Sequence, residues 1–219
     1  MTIKLHLLNS SKKLSAIESL IHQQFKISVD QIQNILQVEN VDVVVKAGSA
    51  VLPETGFGGY SPSEDIAYIT IDTDNKFLLK TFNSEFLVTL GHELHHCARH
   101  KHVGYGLTLG EALISEGLAC KFETELISNE VPLYANVLSK EQIENFFIKA
   151  KLELLSSCYD HRAWFFGSNS IPRHAGYSLG YKLAKDCVNL FELPASKLVN
   201  KSAQACFEML ANKSLNADT

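Results

Sequence analysis

The sequence contains no apolar run long enough to cross a bilayer; a spanning helix takes about 20 consecutive apolar residues, so a membrane-embedded protein is not expected. It also lacks an excess of positive charge, with 20 Lys and Arg against 24 Asp and Glu and a net charge of −4. Nucleic acids and anionic membrane surfaces select basic stripes. None stands out, and neither is expected as a partner. The opening MTIKLHLLNSSKK has no sustained apolar core followed by a small-residue cleavage site, which points to the cytoplasm. Cysteines are few and odd in number: Cys97, Cys120, Cys158, Cys187 and Cys206. Their wide spacing in apolar, helical-looking surroundings predicts reduced core thiols rather than a disulfide framework. Internal repeats and low-complexity tracts are missing too.

With 46% hydrophobic and 20% charged residues over 219 positions, the chain has the profile of an ordinary globular domain large enough for one sizeable core. Residues 3–8, 41–46 and 66–72 read as strands, rich in β-branched residues, and 47–62 reads as a glycine- and proline-bearing loop. Residues 14–37 read as two helical segments broken near Ile27-Ser28-Val29-Asp30. Helical periodicity then dominates over 84–102, 108–128, 139–158, 176–192 and 202–212, and NKSLNADT at the end is expected to fray. The fold class expected is α+β, with a small N-terminal sheet, long helices carrying the site and a mainly helical C-terminal lobe. A single domain over 1–219 is anticipated, divided near Pro132 into lobes of about 1–130 and 131–219.

Four of the nine histidines crowd into LVTLGHELHHCARH, residues 87–100. At about 100° per residue, Leu87, Leu90, Leu94, Cys97 and Ala98 form one face. His92 and His96 lie about 40° apart on the opposite side, with Glu93 beside them. Two imidazoles one turn apart can grip one zinc ion, leaving the glutamate as general base for an activated water. A solvated helix face rich in imidazole is the plain alternative.

A third ligand is offered twenty residues after His96. Thr108-Leu-Gly-Glu111 is a capping box that starts a helix and employs Glu111 as its capping partner. On the same helix Glu116 lies within a stripe of Leu109, Ala112, Leu113, Ala119 and Cys120, with Ile114 and Leu118 on the other side. A carboxylate in such surroundings is costly unless a cation meets it. His92, His96 and Glu116 with one open position make a catalytic rather than a structural zinc set. Cys97 and Cys120 read as small core residues, His95 as a neighbour of the site, and His100 and His102 as basic residues favoured at a helix C-terminus.

HELHHCAR (92–99) followed by GEALISEGLA (110–119) resembles the gluzincin metallopeptidases, in which H-E-x-x-H is completed by a glutamate on the next long helix. With GFGGYSPSEDIAYITID (56–72) and WFFGSNSIPRHAGYSLGY (164–181), the chain resembles more closely the YjaZ-like predicted zinc-dependent proteases of bacteria. The resemblance implies a zincin-like fold, a minimal gluzincin, with Zn2+ as cofactor and a peptide or protein as substrate. It also implies that a tyrosine or histidine of the C-terminal lobe stabilises the oxyanion, Tyr177 first and His174 second, from the cluster Arg173, His174, Tyr177 and Tyr181. The strand at 66–72 would hold an extended peptide along a free edge, with GFGGYSP as a mobile rim. One departure is Cys120, where some gluzincins place an aspartate that holds the first histidine, so that support would come from Glu123 or Glu111.

The reading is a zinc metallopeptidase in which Glu93 is the base. A zinc-binding scaffold without turnover, acting as a binding or sensing module, is the alternative that Cys120 favours. A deformylase-type amide hydrolase is disfavoured because that family's ligand cysteine precedes its histidine pair, and no cysteine precedes residue 97.

Overall fold

The computed structural model describes residues 2–127 and 130–217, with side chains through residue 212. The fold is α+β, and the chain divides into two compact units, Met1–Lys101 with Leu126–Ser128, and His102–Glu125 with Asn129–Thr219. No helix among the described residues is long and apolar enough to cross a membrane.

The first unit is built on a four-stranded sheet of β1 (Ile3–Leu8), β2 (Val41–Ala47), β3 (Phe57–Tyr60) and β4 (Ile66–Ile71), in the order β1-β2-β4-β3. β1, β2 and β4 run parallel and β3 antiparallel. Period-two alternation puts Val41, Val43 and Val45 in register with Ile3, Leu5 and Leu7, and Val43 and Val45 opposite Ala67 and Ile69. That face is the buried one.

α1 (Glu18–Gln33) and α2 (Leu78–His100) pack against each other, and α2 packs on β3 and β4. The break expected near Ile27 does not occur; α1 runs through it without interruption. Ser28 is buried there and accepts a hydrogen bond from Gln24 Nε2 at 3.1 Å, while the same nitrogen lies 3.3 Å from the Asn83 carbonyl on α2. Tertiary contact outweighs the weak helix propensity of Ile-Ser-Val. α2 begins six residues before the expected start because Leu78, Phe82 and Phe86 continue the i, i+4 row of Leu90 and Leu94, and all five are buried.

The segment 47–62, expected to be a loop throughout, contains β3. Phe57 anchors it, with its ring 5.4 Å from that of Phe82 and 6.3 Å from that of Phe86. In consequence β4 lies inside the sheet, with β2 on one side and β3 on the other. The expectation of a free edge at 66–72 is overturned, and the edge belongs to β3. GFGGYSP is a docked strand and its exit, with Phe57 fully buried, rather than a loose rim.

The second unit contains α3 (Leu109–Leu126), a 3-10 turn at Leu133–Ala135, α4 (Lys140–Lys151), α5 (His161–Phe166), α6 (Ala175–Phe191), a 3-10 turn at Ala195–Lys197 and α7 (Ala203–Ala217). The capping box at Thr108 and Glu111 is formed: Glu111 Oε2 accepts from the Thr108 amide at 2.9 Å, and Thr108 Oγ1 accepts from the Glu111 amide at 3.3 Å. α4 has its own box, Ser139 with Gln142, and stops at Lys151 rather than running to 158. Beyond it, the Leu154 and Ser156 carbonyls accept from the Gly110 and Leu109 amides at 2.9 and 3.3 Å, satisfying donors that the first turn of a helix leaves over. Cys158 lies in this stretch and is exposed, unlike the other four cysteines. The expectation of a core thiol fails there because the helix that would have buried it has ended.

α5 was not foreseen; Asp160 caps it, accepting from the Ala163 amide at 2.9 Å, and it buries Trp164 and Phe165. α6 touches α4, α5, α7 and the 133–135 turn. It also lies hard against α3, where a β-carbon at Gly117 would stand 2.0 Å from the Gly180 carbonyl oxygen. Of the terminal residues expected to fray, the backbone to Ala217 is helical and 218–219 lie outside the described residues.

Gly117→Ala overpacks this helix contact and is expected to cost about 1–3 kcal/mol. A loss of roughly 2–10 °C in Tm by calorimetry would follow for a chain of this size. An unchanged Tm would contradict the close approach of α3 and α6.

Candidate metal centre

His92, Glu93 and His96 occupy consecutive turns of α2 and are buried, at 8%, 5% and 5% exposure. A solvated imidazole face is therefore excluded. The His92 and His96 Nε2 atoms converge to 3.0 Å. Two nitrogens bound at about 2.05 Å with a tetrahedral angle are separated by about 3.3 Å, so the pair is already set at the spacing of two ligands of one ion. The core face expected for this helix, Leu87, Leu90, Leu94, Cys97 and Ala98, is buried. His95 is buried as well, and His102 is exposed.

Glu93 is held by the strand that the sequence reading missed. Ser61, just after β3, has its hydroxyl 2.7 Å from Glu93 Oε2 and 3.0 Å from the Glu93 carbonyl, positioned to donate to the carboxylate. Gly59 lies against the same side chain: a β-carbon there would stand 2.1 Å from Glu93 Oε1. Phe57 and Gly59 point the same way from β3, two residues apart, and meet Phe86 and Glu93, two turns apart on α2. The glycine is needed because the carboxylate fills the space of its side chain.

His100 is part of this arrangement. Its Nε2 lies 3.2 Å from the Ser61 carbonyl, and since a carbonyl only accepts, that nitrogen carries a proton. Burial, then the neighbouring His96, lowers its pKa. His100 stands in the last turn of α2. Cys97 stays a protonated core thiol, pushed up to about 12 chiefly by burial.

In the second unit Glu116 is 7% exposed, at the centre of the buried stripe expected on α3. The Tyr105 hydroxyl donates to Glu116 Oε1 at 2.7 Å. Burial, followed by the Glu116 charge, holds the Tyr105 phenol well above its ordinary pKa. Two further groups feel the same carboxylate. Tyr159 is pushed up to about 12, by burial first and Glu116 next. His161 is lowered by burial against an upward pull from Glu116, and its Nδ1 lies 3.0 Å from the Tyr159 hydroxyl.

Tyr177 lies in an aromatic cluster, with ring centroids 4.9 Å from Tyr134, 5.0 Å from Phe165 and 5.7 Å from His174. Its phenol also figures among the groups that raise Tyr105. His174 is buried and caps α6 in the left-handed region, at φ 67°. That conformation is uncommon for a residue with a β-carbon. Arg173 is exposed, and burial pushes the Tyr181 phenol up.

Glu111 is occupied by the cap, accepting from the Leu107 and Thr108 amides and the Thr108 hydroxyl, each at 2.9 Å. This holds its pKa low and removes it as a support for histidine. Glu123 accepts from the Tyr134 hydroxyl.

Among the described residues, the side chains that could hold a metal ion are His92, His96 and Glu116, or His92, Cys120 and Glu123. Cys120 is the poorer donor. Its thiol is raised well above its usual pKa by burial and then by the Glu123 and Glu116 charges, whereas a thiolate is what binds metal.

Ser61, Tyr105, Tyr159 and His161 are not among the site residues the sequence points to, and Gly59 figures there only as a glycine of the loop. Two signals were available in retrospect: the Gly-Gly pair two residues ahead of Ser61, and a tyrosine bracketed by glycines at 104 and 106. The family described as "Predicted Zn-dependent protease (DUF2268)" matches residues 18–208. Comparison with curated proteins and with solved structures gave no match. The matched span takes in α2 with its histidine pair, Glu116 on α3 and the His174–Tyr181 stretch, and the chain belongs to this predicted Zn-dependent protease family.

Proposed function

We propose that the protein is a zinc metallopeptidase of gluzincin type, within the YjaZ-like group, forming one zincin-like catalytic domain that works on peptide or protein substrates in the cytoplasm. The observation that carries this reading is the buried turn of α2, where two imidazole nitrogens converge to 3.0 Å next to a carboxylate oriented by Ser61. His92, His96 and Glu116 are the proposed ligands. Two nitrogens and one oxygen are a donor set that zinc accepts in hydrolytic sites, with a position left for water.

When bound, the ion supplies Lewis-acid activation of water and of the scissile carbonyl. Glu93 takes the proton of the attacking water and passes it to the leaving amine. Ser61 and the space at Gly59 hold its carboxylate in one orientation throughout. Tyr177, or His174 beside it, donates to the oxygen that becomes negative in the tetrahedral intermediate. Gly56 accepts from the Asp72 amide at 2.9 Å, so by the antiparallel alternation Phe57 and Gly59, opposite Ile71 and Ile69, are the non-hydrogen-bonded pairs of β3 with β4. The Gly59 amide and carbonyl therefore point away from the sheet and suit an extended substrate backbone.

Glu93→Gln is expected to lower kcat on a peptide library by about 10²–10⁴-fold with bound zinc unchanged by elemental analysis. A zinc-loaded wild type with no turnover would select the scaffold reading that Cys120 favours instead. Gly59→Ala drives a methyl group into the Glu93 carboxylate. It should reduce kcat at least tenfold while metal content stays the same, and full activity would remove the proposed role of that contact. Stripping the metal with a strong chelator should abolish turnover. Relative to protein at free zinc about 100-fold above Kd, it should also remove about 2.7 kcal/mol of stability, a fall in Tm of roughly 5–10 °C. Identical melting curves with and without chelator would rule out a native zinc site.

A further inference from the structure

Tyr105 lies in the short segment that precedes α3, between two glycines of positive φ, Gly104 at 72° and Gly106 at 98°. A β-carbon at Gly106 would stand 2.2 Å from Glu111 Cβ, so the segment is wound closely onto the first turn of α3. Glu111 fastens it there through the Leu107 and Thr108 amides. One turn further on, the Ser115 hydroxyl donates to the Tyr105 carbonyl at 3.0 Å. The Tyr105 backbone is thus tied to the same helix that carries Glu116, and its phenol reaches back to Glu116 Oε1 at 2.7 Å.

We propose that Tyr105 is a positioning residue for Glu116: its hydrogen bond commits one carboxylate oxygen and sets the plane of the group, so that Glu116 presents a single oxygen to the metal ion. This inference rests on the reading of Glu116 as a ligand. The physical need is specific to a glutamate. Its carboxylate turns freely about the last side-chain bond and can bind an ion through both oxygens. Two-oxygen binding takes up the position that an open hydrolytic site keeps for water. A phenol fixes the group without adding charge, because its hydroxyl donates to the carboxylate as a neutral group. Outer partners of this kind typically change metal affinity or activity 10–100-fold on removal.

The test uses the full chain, prepared metal-free, as wild type, Tyr105→Phe, Glu116→Gln and the double variant. Zinc affinity is read by competition with a chromophoric chelator, and site geometry by the visible spectrum of the cobalt(II)-loaded protein. Tyr105→Phe should weaken zinc binding about 10–100-fold, with the metal-free protein still folded by circular dichroism. It should also reduce the cobalt absorption, as expected when a four-coordinate site gains a fifth ligand atom. In the Glu116→Gln background the Tyr105 change should add little, since its effect runs through that carboxylate. If Tyr105→Phe folds poorly, Ser115→Ala takes its place, with weakened binding supporting the proposal and unchanged binding overturning it. Wild-type affinity and spectrum in Tyr105→Phe, alongside a weakened Glu116→Gln, would overturn the role of Tyr105 and leave the ligand in place. Unchanged affinity in Glu116→Gln would remove the ligand reading itself, and the proposal with it.

Discussion

A carboxylate withdrawn from water must be met by donors or by a cation, and Glu93 imposes that requirement on the whole first unit. Its burial on α2 is tolerated because Ser61 delivers a hydroxyl to one oxygen and because residue 59 lacks a side chain where the other oxygen lies. Both conditions require β3 to run along α2 in one register, which the Phe57, Phe82 and Phe86 rings secure. The sheet order then follows: β3 becomes the outer strand and β4 an inner one. What began as a need of one side chain decides which strand lies at the edge of the sheet.

The second unit solves the same problem for Glu116 with different means. Here a tyrosine supplies the donor, and glycines at 117 and 180 let α6 approach the helix at backbone distance. His174, just before α6, and Tyr177 within it join an aromatic cluster with Tyr134 and Phe165. The helices carry the proposed ligands and base, while short non-helical segments, at 61 and at 105, orient them. Rigid elements fix where a group is; a hydrogen bond from a neighbouring segment fixes which way it faces.

Membership of a predicted Zn-dependent protease family agrees with this chemistry at the level of metal and reaction class. The departure at Cys120 has a structural counterpart. That position is a fully buried thiol among Glu123 and Tyr134. Glu111, one of the two candidates for such support, is consumed by the helix cap.

Elements ruled by neighbours a few residues apart were legible from the amino acids alone. The strands at 3–8, 41–47 and 66–71, the i, i+4 histidines with their intervening glutamate, the capping box at Thr108 and the buried stripe around Glu116 all express local periodicity or local hydrogen bonding. The continuity of α1 through Ser28, the strand at 57–60, the inner place of β4, the end of α4 at Lys151 and the contact of His100 with the Ser61 carbonyl were settled only in three dimensions. So were the partners of Glu93 and Glu116. Ser61 and Glu93 are 32 positions apart, and no spacing rule links them. Their hydrogen bond exists because a phenylalanine cluster and a missing β-carbon bring one strand onto one helix, and packing of that range leaves almost no trace in local sequence.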